Sequence, residues 1–192
     1  MKKLMIIAGV FTFVFLSFKA IKKINFNRDH VVGEKIDSLN HVYVFYNGGV
    51  DNVTERNTKD GYNLGLKYQC VEFVKRYYYE HYNHKMPDTY GHAKSFFNPK
   101  ISDGNINTQR NLFQFKNPSK AKPKIGDLLV FKGSLLNRYG HVAIISKVSR
   151  NQIEIIQQNP GPFSPSRELI GITFENNTWN INNNRILGWL RK

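Results

Sequence analysis

Cysteine is almost absent: the 192 residues contain one, Cys70. No intramolecular disulfide can form, and a lone thiol cannot supply the paired cysteines of a structural zinc site. The six histidines, His30, His41, His81, His84, His92 and His141, show no His-Glu-x-x-His pairing. The i,i+3 pair His81 and His84 has no carboxylate cluster beside it. Neither a metal nor another cofactor is expected. Acidic residues are scarce too, 14 Asp and Glu against 28 Lys and Arg, which gives a net charge of +14. Such a field attracts polyanions: nucleic acid, anionic lipid or acidic cell-surface polymer. The basic residues are scattered from Lys2 to Lys192, however, with no zinc-finger spacing, helix-turn-helix signal or aromatic-basic RNA motif. An anionic envelope surface is the expected partner, and nucleic acid is not. Internal repeats are missing, so the chain is no solenoid or propeller.

What is present is enough for one core, since 41% of the residues are hydrophobic and 14% aromatic. The chain opens on "MKKLMIIAGVFTFVFLSFKAIKK", in which Lys2 and Lys3 precede an apolar run from Leu4 to Phe18. This reads as an export segment over residues 1–24. Phe18 stands where a processing site wants a small residue, and Lys19, Lys22 and Lys23 follow. An uncleaved signal-anchor through residues 4–21, facing the periplasm or cell exterior, is therefore favoured over a cleaved signal peptide and secretion. Residues 25–40 read as a polar tether and 41–192 as a single domain.

Within that domain, "HVYVFYN" (41–47) alternates like a strand, and residues 50–66 read as loop. From Cys70, "CVEFVKRYYYEHY" lacks proline and glycine. It sets Val71, Val74, Tyr77, Tyr78 and Tyr82 at helical spacing, which puts Cys70 at a helix N-terminus. "GHAKSFF" (91–97) suggests a short second helix and 98–123 an irregular connection. Strands are expected in "PKIGDLLVFK" (123–132), "HVAIISKV" (141–148), "QIEIIQQN" (152–159) and the final "RILGWLRK", with "FENNTWNINNNR" as a surface loop. A helix followed by antiparallel strands is an α+β pattern.

A helix N-terminus favours the thiolate of Cys70, and the best-placed base is His141, which opens a strand after Arg138-Tyr139-Gly140. If the hairpin turns at 149–151, an even register places His141 on one face with Gln157 or Asn159. Ala143, Ile145, Ile153 and Ile155 then lie beneath it, with Glu154 and Gln158 on the other face. An amide is thus positioned to accept from Nδ1–H and hold the imidazole, as in a Cys-His triad. Whether Gln157 or Asn159 does so is open at this stage.

The strings "YNLGLKYQCVEFVKRYYYEHY", "GDLLVF", "GHVAII", "QQN", "SRELI" and "ILGWL" occur in order over residues 61–190. Together they resemble the cysteine, histidine-dependent amidohydrolase/peptidase (CHAP) family, and within it the glutathionylspermidine amidase branch. The resemblance implies a papain-like α+β fold with an N-terminal Cys-bearing helix packed on an antiparallel β-sheet. It implies Cys70 as nucleophile, His141 as general base, Gln69 near the oxyanion and Asn159 at the end of the family's Glu-Gln-Asn strand. Gln157 stands where relatives carry an acid, and Lys75 where relatives with glutathionyl substrates carry an arginine that grips a carboxylate. The expected activity is hydrolysis of amide bonds in cell-wall peptidoglycan peptide. A glutathionylspermidine-type amidase, or an envelope-binding module weak or dead in catalysis, is the alternative.

Overall fold

In the computed structural model, residues 2–135 and 137–192 are described, without the side chains of residues 2–6, 8, 11, 18 and 19. The side chains of Lys2, Lys3, Phe18 and Lys19, on which the export reading leaned, lie outside the described residues. Helix α1 (Lys2–Ile21) takes up the apolar run. Among the described residues no helix is long and apolar enough to cross a membrane.

Residues 25–40 differ from the expected tether. The Asn25 Oδ1 accepts from the Tyr46 hydroxyl, Asn27 Nδ2 donates to the Pro162 carbonyl, and β1 (Lys35–Leu39) pairs antiparallel with β2 (Val42–Phe45). A second hairpin, β3 (Arg56–Lys59) and β4 (Tyr62–Leu66), replaces the expected loop at 50–66. Both turns hold two successive residues at positive φ, Asn40-His41 and Asp60-Gly61. That geometry matches the right-handed twist of the flanking strands.

Helix α2 spans Cys70–Tyr82 and ends at Asn83, which adopts the left-handed conformation and donates its N–H to the Tyr78 carbonyl. A 3-10 helix (Ala93–Phe96) follows where a short helix was expected. The remaining strands are β5 (Asn105–Asn107), β6 (Leu112–Lys116), β7 (Leu128–Phe131), β8 (His141–Val148), β9 (Gln152–Ile156), β10 (Arg167–Glu175), β11 (Thr178–Ile181) and β12 (Ile186–Arg191). The irregular connection at 98–123 thus contains β5 and β6. The asparagine-rich stretch is not a loop: it spans the end of β10, a tight turn at Asn176-Asn177 and β11.

These eight strands form one antiparallel sheet in the order β11-β10-β9-β8-β7-β12-β6-β5. Its two ends approach each other. Beyond β6, Ser119 exchanges backbone hydrogen bonds with Trp179 of β11, and the Asn117 side chain pairs with the Ile181 backbone. The sheet therefore curls into a closed barrel. Period-2 alternation sorts the apolar residues into two cores. Leu129, Phe131, Ala143, Ile145, Ile153, Ile155 and Trp189 fill the interior. Leu128, Val130, Val142, Ile144, Ile156 and Leu190 face outward and are covered by Phe73, Val74, Tyr77 and Tyr78 of α2. The Tyr78 hydroxyl, carried into that layer, is satisfied by the carbonyls of Gly126 and Leu190. The α+β architecture, with the cysteine-bearing helix on an antiparallel sheet, is what the sequence implied. The helix is not the first element, because α1 and four strands precede it.

Candidate active site

Cys70 is the first residue of α2, and its thiol is free. On β8, Ile145 N–H donates to Asp127 O on the β7 side, so alternation turns the Val142 N–H toward β9. Strand β9 tracks β8 only as far as the Ile144–Ile156 pair. The Cys70 sulfur occupies the side that β9 leaves, where the N–H groups of Val142, Val71 and Cys70 itself point at it. The thiol thus lies against the backbone one residue along from His141.

Gly140 makes that position of His141 available. It sits at φ 78°, and a Cβ there would lie 2.5 Å from the Phe131 carbonyl oxygen, so only glycine leads the chain into β8 at this point. His141 faces the barrel interior at its mouth, its ring tilted against Phe131 with centroids 5.8 Å apart. Its Nε2–H donates to Gln157 Oε1 at 2.9 Å, and Gln157 Nε2 donates to the Pro165 carbonyl at 3.4 Å. With the amide nitrogen so engaged, the oxygen must face the imidazole. This fixes the tautomer and leaves Nδ1 as the basic nitrogen. The even register holds at this end of the hairpin, where Ile144 pairs with Ile156 and Ile145 with Ile155 before a bulge at Ser146. The orienting bond runs from Nε2, where Nδ1 was expected.

Asn159 does not share that work. Its Nδ2 donates to Val50 O at 2.9 Å and to Gln69 Oε1 at 2.8 Å. Gln69 in turn spends its amide N–H groups on the carbonyls of Val50 and Asn52. Together they brace loop 50–52 against the helix start. An oxyanion role for Gln69 requires one of those bonds to be exchanged. Lys75 is 1% exposed and donates to the carbonyls of Asn63 and Thr89. Burial, with Arg110 and Arg56 nearby, pushes its ammonium down to about 8.

Three residues outside the expected set tie the halves of the site together. Gln158 is fully buried. Its Oε1 accepts from Phe45 N–H at 2.8 Å, and its Nε2 donates to the Gln69 carbonyl at 3.0 Å and to Glu72 Oε2 at 2.8 Å. Glu72, 1% exposed, also accepts from Asn57 Nδ2 at 2.8 Å and from Arg76 Nε at 2.6 Å. The end of β9 is thereby fastened to the first turn of α2, which fixes Cys70 relative to Gln157 and His141. The i,i+4 spacing of Glu72 and Arg76 was the available signal for this pair. Parity had already put Gln158 on the face opposite His141.

Electrostatically the site rests neutral. Burial pushes the Cys70 thiol up to about 11, against the pull of the three N–H groups around it, so the thiolate expected from the helix terminus does not form at rest. Burial, reinforced by the charge of Arg185 and only partly offset by Gln157, holds the His141 imidazole down to about 4. Between those limits the pair is thiol and free base. Alkylation of Cys70 by iodoacetamide should therefore be slow near pH 6 and rise about tenfold per pH unit above neutrality. Fast, pH-independent labelling at acidic pH would show a standing thiolate–imidazolium pair instead.

The family model described as "CHAP domain" matches residues 58–159, a span that contains Cys70, His141, Gln157 and Asn159. The bifunctional glutathionylspermidine synthetase/amidase of Escherichia coli (strain K12) is 31% identical over 152 residues, 73% of this chain and 24% of that protein. Trypanothione synthetase of Crithidia fasciculata is 30% identical over 105 residues, 55% of this chain and 16% of that protein. Glutathionylspermidine synthase of the same organism is 27% identical over 139 residues, 66% of this chain and 19% of that protein. The chain thus spans a quarter or less of the length of each of these relatives.

Proposed function

The chain belongs to the CHAP domain family, and on that premise we propose that it is an exported cysteine amidase or endopeptidase that cleaves amide bonds of cell-wall peptidoglycan peptide. The observation that carries the chemistry is the Nε2–H···Gln157 bond, which leaves His141 Nδ1 basic at the end of β8 where the Cys70 thiol lies. His141 Nδ1 takes the thiol proton as the sulfur attacks the amide carbonyl. The N–H groups of the α2 N-terminus, Cys70 first among them, stabilise the oxyanion. The C–N bond then breaks, the amine leaves with the proton from His141, and a water activated by His141 hydrolyses the thioester to carboxylate and thiol.

Gln157 holds the ring without charge, so an imidazolium gains no ion pair from it, and a moderate turnover is expected. Export is supported by Lys2 and Lys3 ahead of the apolar run, and the charge of +14 suits an anionic envelope. A glutathionyl conjugate is less well served, because Lys75 lies buried with its ammonium donating to two backbone carbonyls.

The test is incubation of the protein with purified peptidoglycan and, separately, with glutathionylspermidine. New amine termini should appear from peptidoglycan with the wild type and not with Cys70→Ala. Equal release by the two proteins removes the peptidoglycan reading, and Cys70-dependent cleavage of the conjugate alone replaces it with the second substrate.

A further inference from the structure

At the barrel mouth the charge of a cation, Arg185, reaches the His141 ring. Arg185 precedes β12 in a turn closed by Ile186 N–H on the Asn183 carbonyl, and its own carbonyl accepts from Lys132 N–H. The next residue, Ile186, pairs with Phe131 of β7, and Phe131 pairs with His141 of β8. Arg185 is thus carried to the end of a row that leads across two strand spacings, about 10 Å, to the catalytic histidine.

Its guanidinium is unusually free. Nε is buried without a hydrogen-bond partner, the residue as a whole remains partly exposed, and no carboxylate among the described residues pairs with it. Of the other arginines withdrawn from water, Arg76 holds Glu72, Arg167 holds Asp37 and Glu154, and Arg191 holds Asp127. Arg110, whose Nε also lacks a partner, has Asp88 at 3.9 Å and donates to backbone carbonyls. A cation partly withdrawn from water and left without a counter-charge is unfavourable in the resting protein. An anion that completes its fork is correspondingly well bound. Gln157 is part of the same arrangement. A carboxylate at that position would sit on His141 within the field of Arg185 and neutralise it, whereas the amide orients the ring and leaves the cation available.

We propose that Arg185 is the site's carboxylate reader, which accepts a free carboxylate flanking the scissile amide and so directs the enzyme to acidic peptides. The inference rests on the Cys70–His141 amidase reading and adds the chemistry of its substrate. The two Nη groups form a paired donor edge that fits a carboxylate. Docking also acts on the base. The unpaired charge of Arg185 helps to hold His141 in its neutral form, and a substrate carboxylate that cancels this charge strengthens Nδ1 as the thiol proton is to be taken.

The experiment uses two muropeptides that differ only in whether the α-carboxyl of the second stem residue is free, as in isoglutamate, or amidated, as in isoglutamine. They are assayed with the full chain and with Arg185→Gln and Arg185→Lys. The wild type should favour the acidic peptide by about tenfold or more in kcat/KM, the usual size of a charge-assisted hydrogen bond, with the difference carried in KM. Arg185→Gln should bring the ratio to near unity, and Arg185→Lys should retain part of it. The His141 ring should also titrate at higher pH in Arg185→Gln than in the wild type, followed by NMR, a change that a packing role would not produce. Equal cleavage of both peptides by the wild type, or an undiminished preference in Arg185→Gln, overturns the inference alone. Cleavage of neither peptide overturns the peptidoglycan reading and this inference with it. If Arg185→Gln fails to fold, the wild-type ratio and Arg185→Lys decide.

Discussion

Replacing His141 with alanine is expected to lower kcat/KM near pH 7 by about four orders of magnitude or more. The size follows from the thiol. With Cys70 pushed up to about 11, only about one molecule in ten thousand carries a thiolate near pH 7 once no base is available to take the proton. The variant also loses the acid that protonates the departing amine, which deepens the loss. A signature accompanies the magnitude. Residual activity in His141→Ala should climb about tenfold per pH unit through the alkaline range as thiolate forms spontaneously. The wild type, whose His141 is free base above about 4 and whose thiol stays protonated to about 11, should hold a broad plateau between those limits. Full pH–rate profiles of both proteins test this. A loss of less than about a hundredfold, or a flat alkaline profile in the variant, would mean that another group serves as base.

The largest effect on stability is expected from Glu72→Ala. Removing this carboxylate leaves the Arg76 guanidinium, 6% exposed, without its counter-charge, and strips the Nε2 of Gln158 and the Nδ2 of Asn57 of an acceptor. Breaking a buried pair from one side costs about 3–5 kcal/mol. For a chain of this size that corresponds to a melting temperature lower by about 10 °C or more. The variant keeps Cys70, His141 and Gln157, so activity measured well below its midpoint separates fastening of the site from its chemistry. A shift under about 3 °C would show that the network is relaxed by water or rearranged donors.

The helix from Cys70, the strands from His141 and Gln152, and the grouping of Ala143, Ile145, Ile153 and Ile155 on one face were legible because apolar periodicity was strong there. The hairpins β3–β4, β5–β6 and β10–β11 were not, since one strand of each is short and carries polar residues: β3 reads Arg-Asn-Thr-Lys, β5 Asn-Ile-Asn and β11 Thr-Trp-Asn-Ile. A usable signal lay in the turns. Asp60-Gly61 is a strong two-residue hairpin dipeptide, and Asn176-Asn177 supplies the same paired positive φ. Burial decided what the sequence could not. The helix terminus argued for a thiolate at Cys70, but the protein packed around the sulfur outweighs three converging N–H groups. Lys75, read as a substrate cation, turned inward to backbone carbonyls. Arg185 was not legible because its place two strands from His141 depends on strand order, which brings β12 next to β7 across the chain.

The closure at Ser119 and Trp179 bears on the order in which the protein folds. The hairpins join neighbours in sequence and need short loops, whereas that seam and the Gln158 bond to the Gln69 carbonyl join segments 60 and 89 residues apart. Contacts at such separation carry the larger loop-closure entropy and form late. Cys70 therefore meets His141 only after the long-range contacts are made. A partly folded chain holds an ordinary solvated thiol, and hydrolytic competence arrives together with the finished tertiary structure.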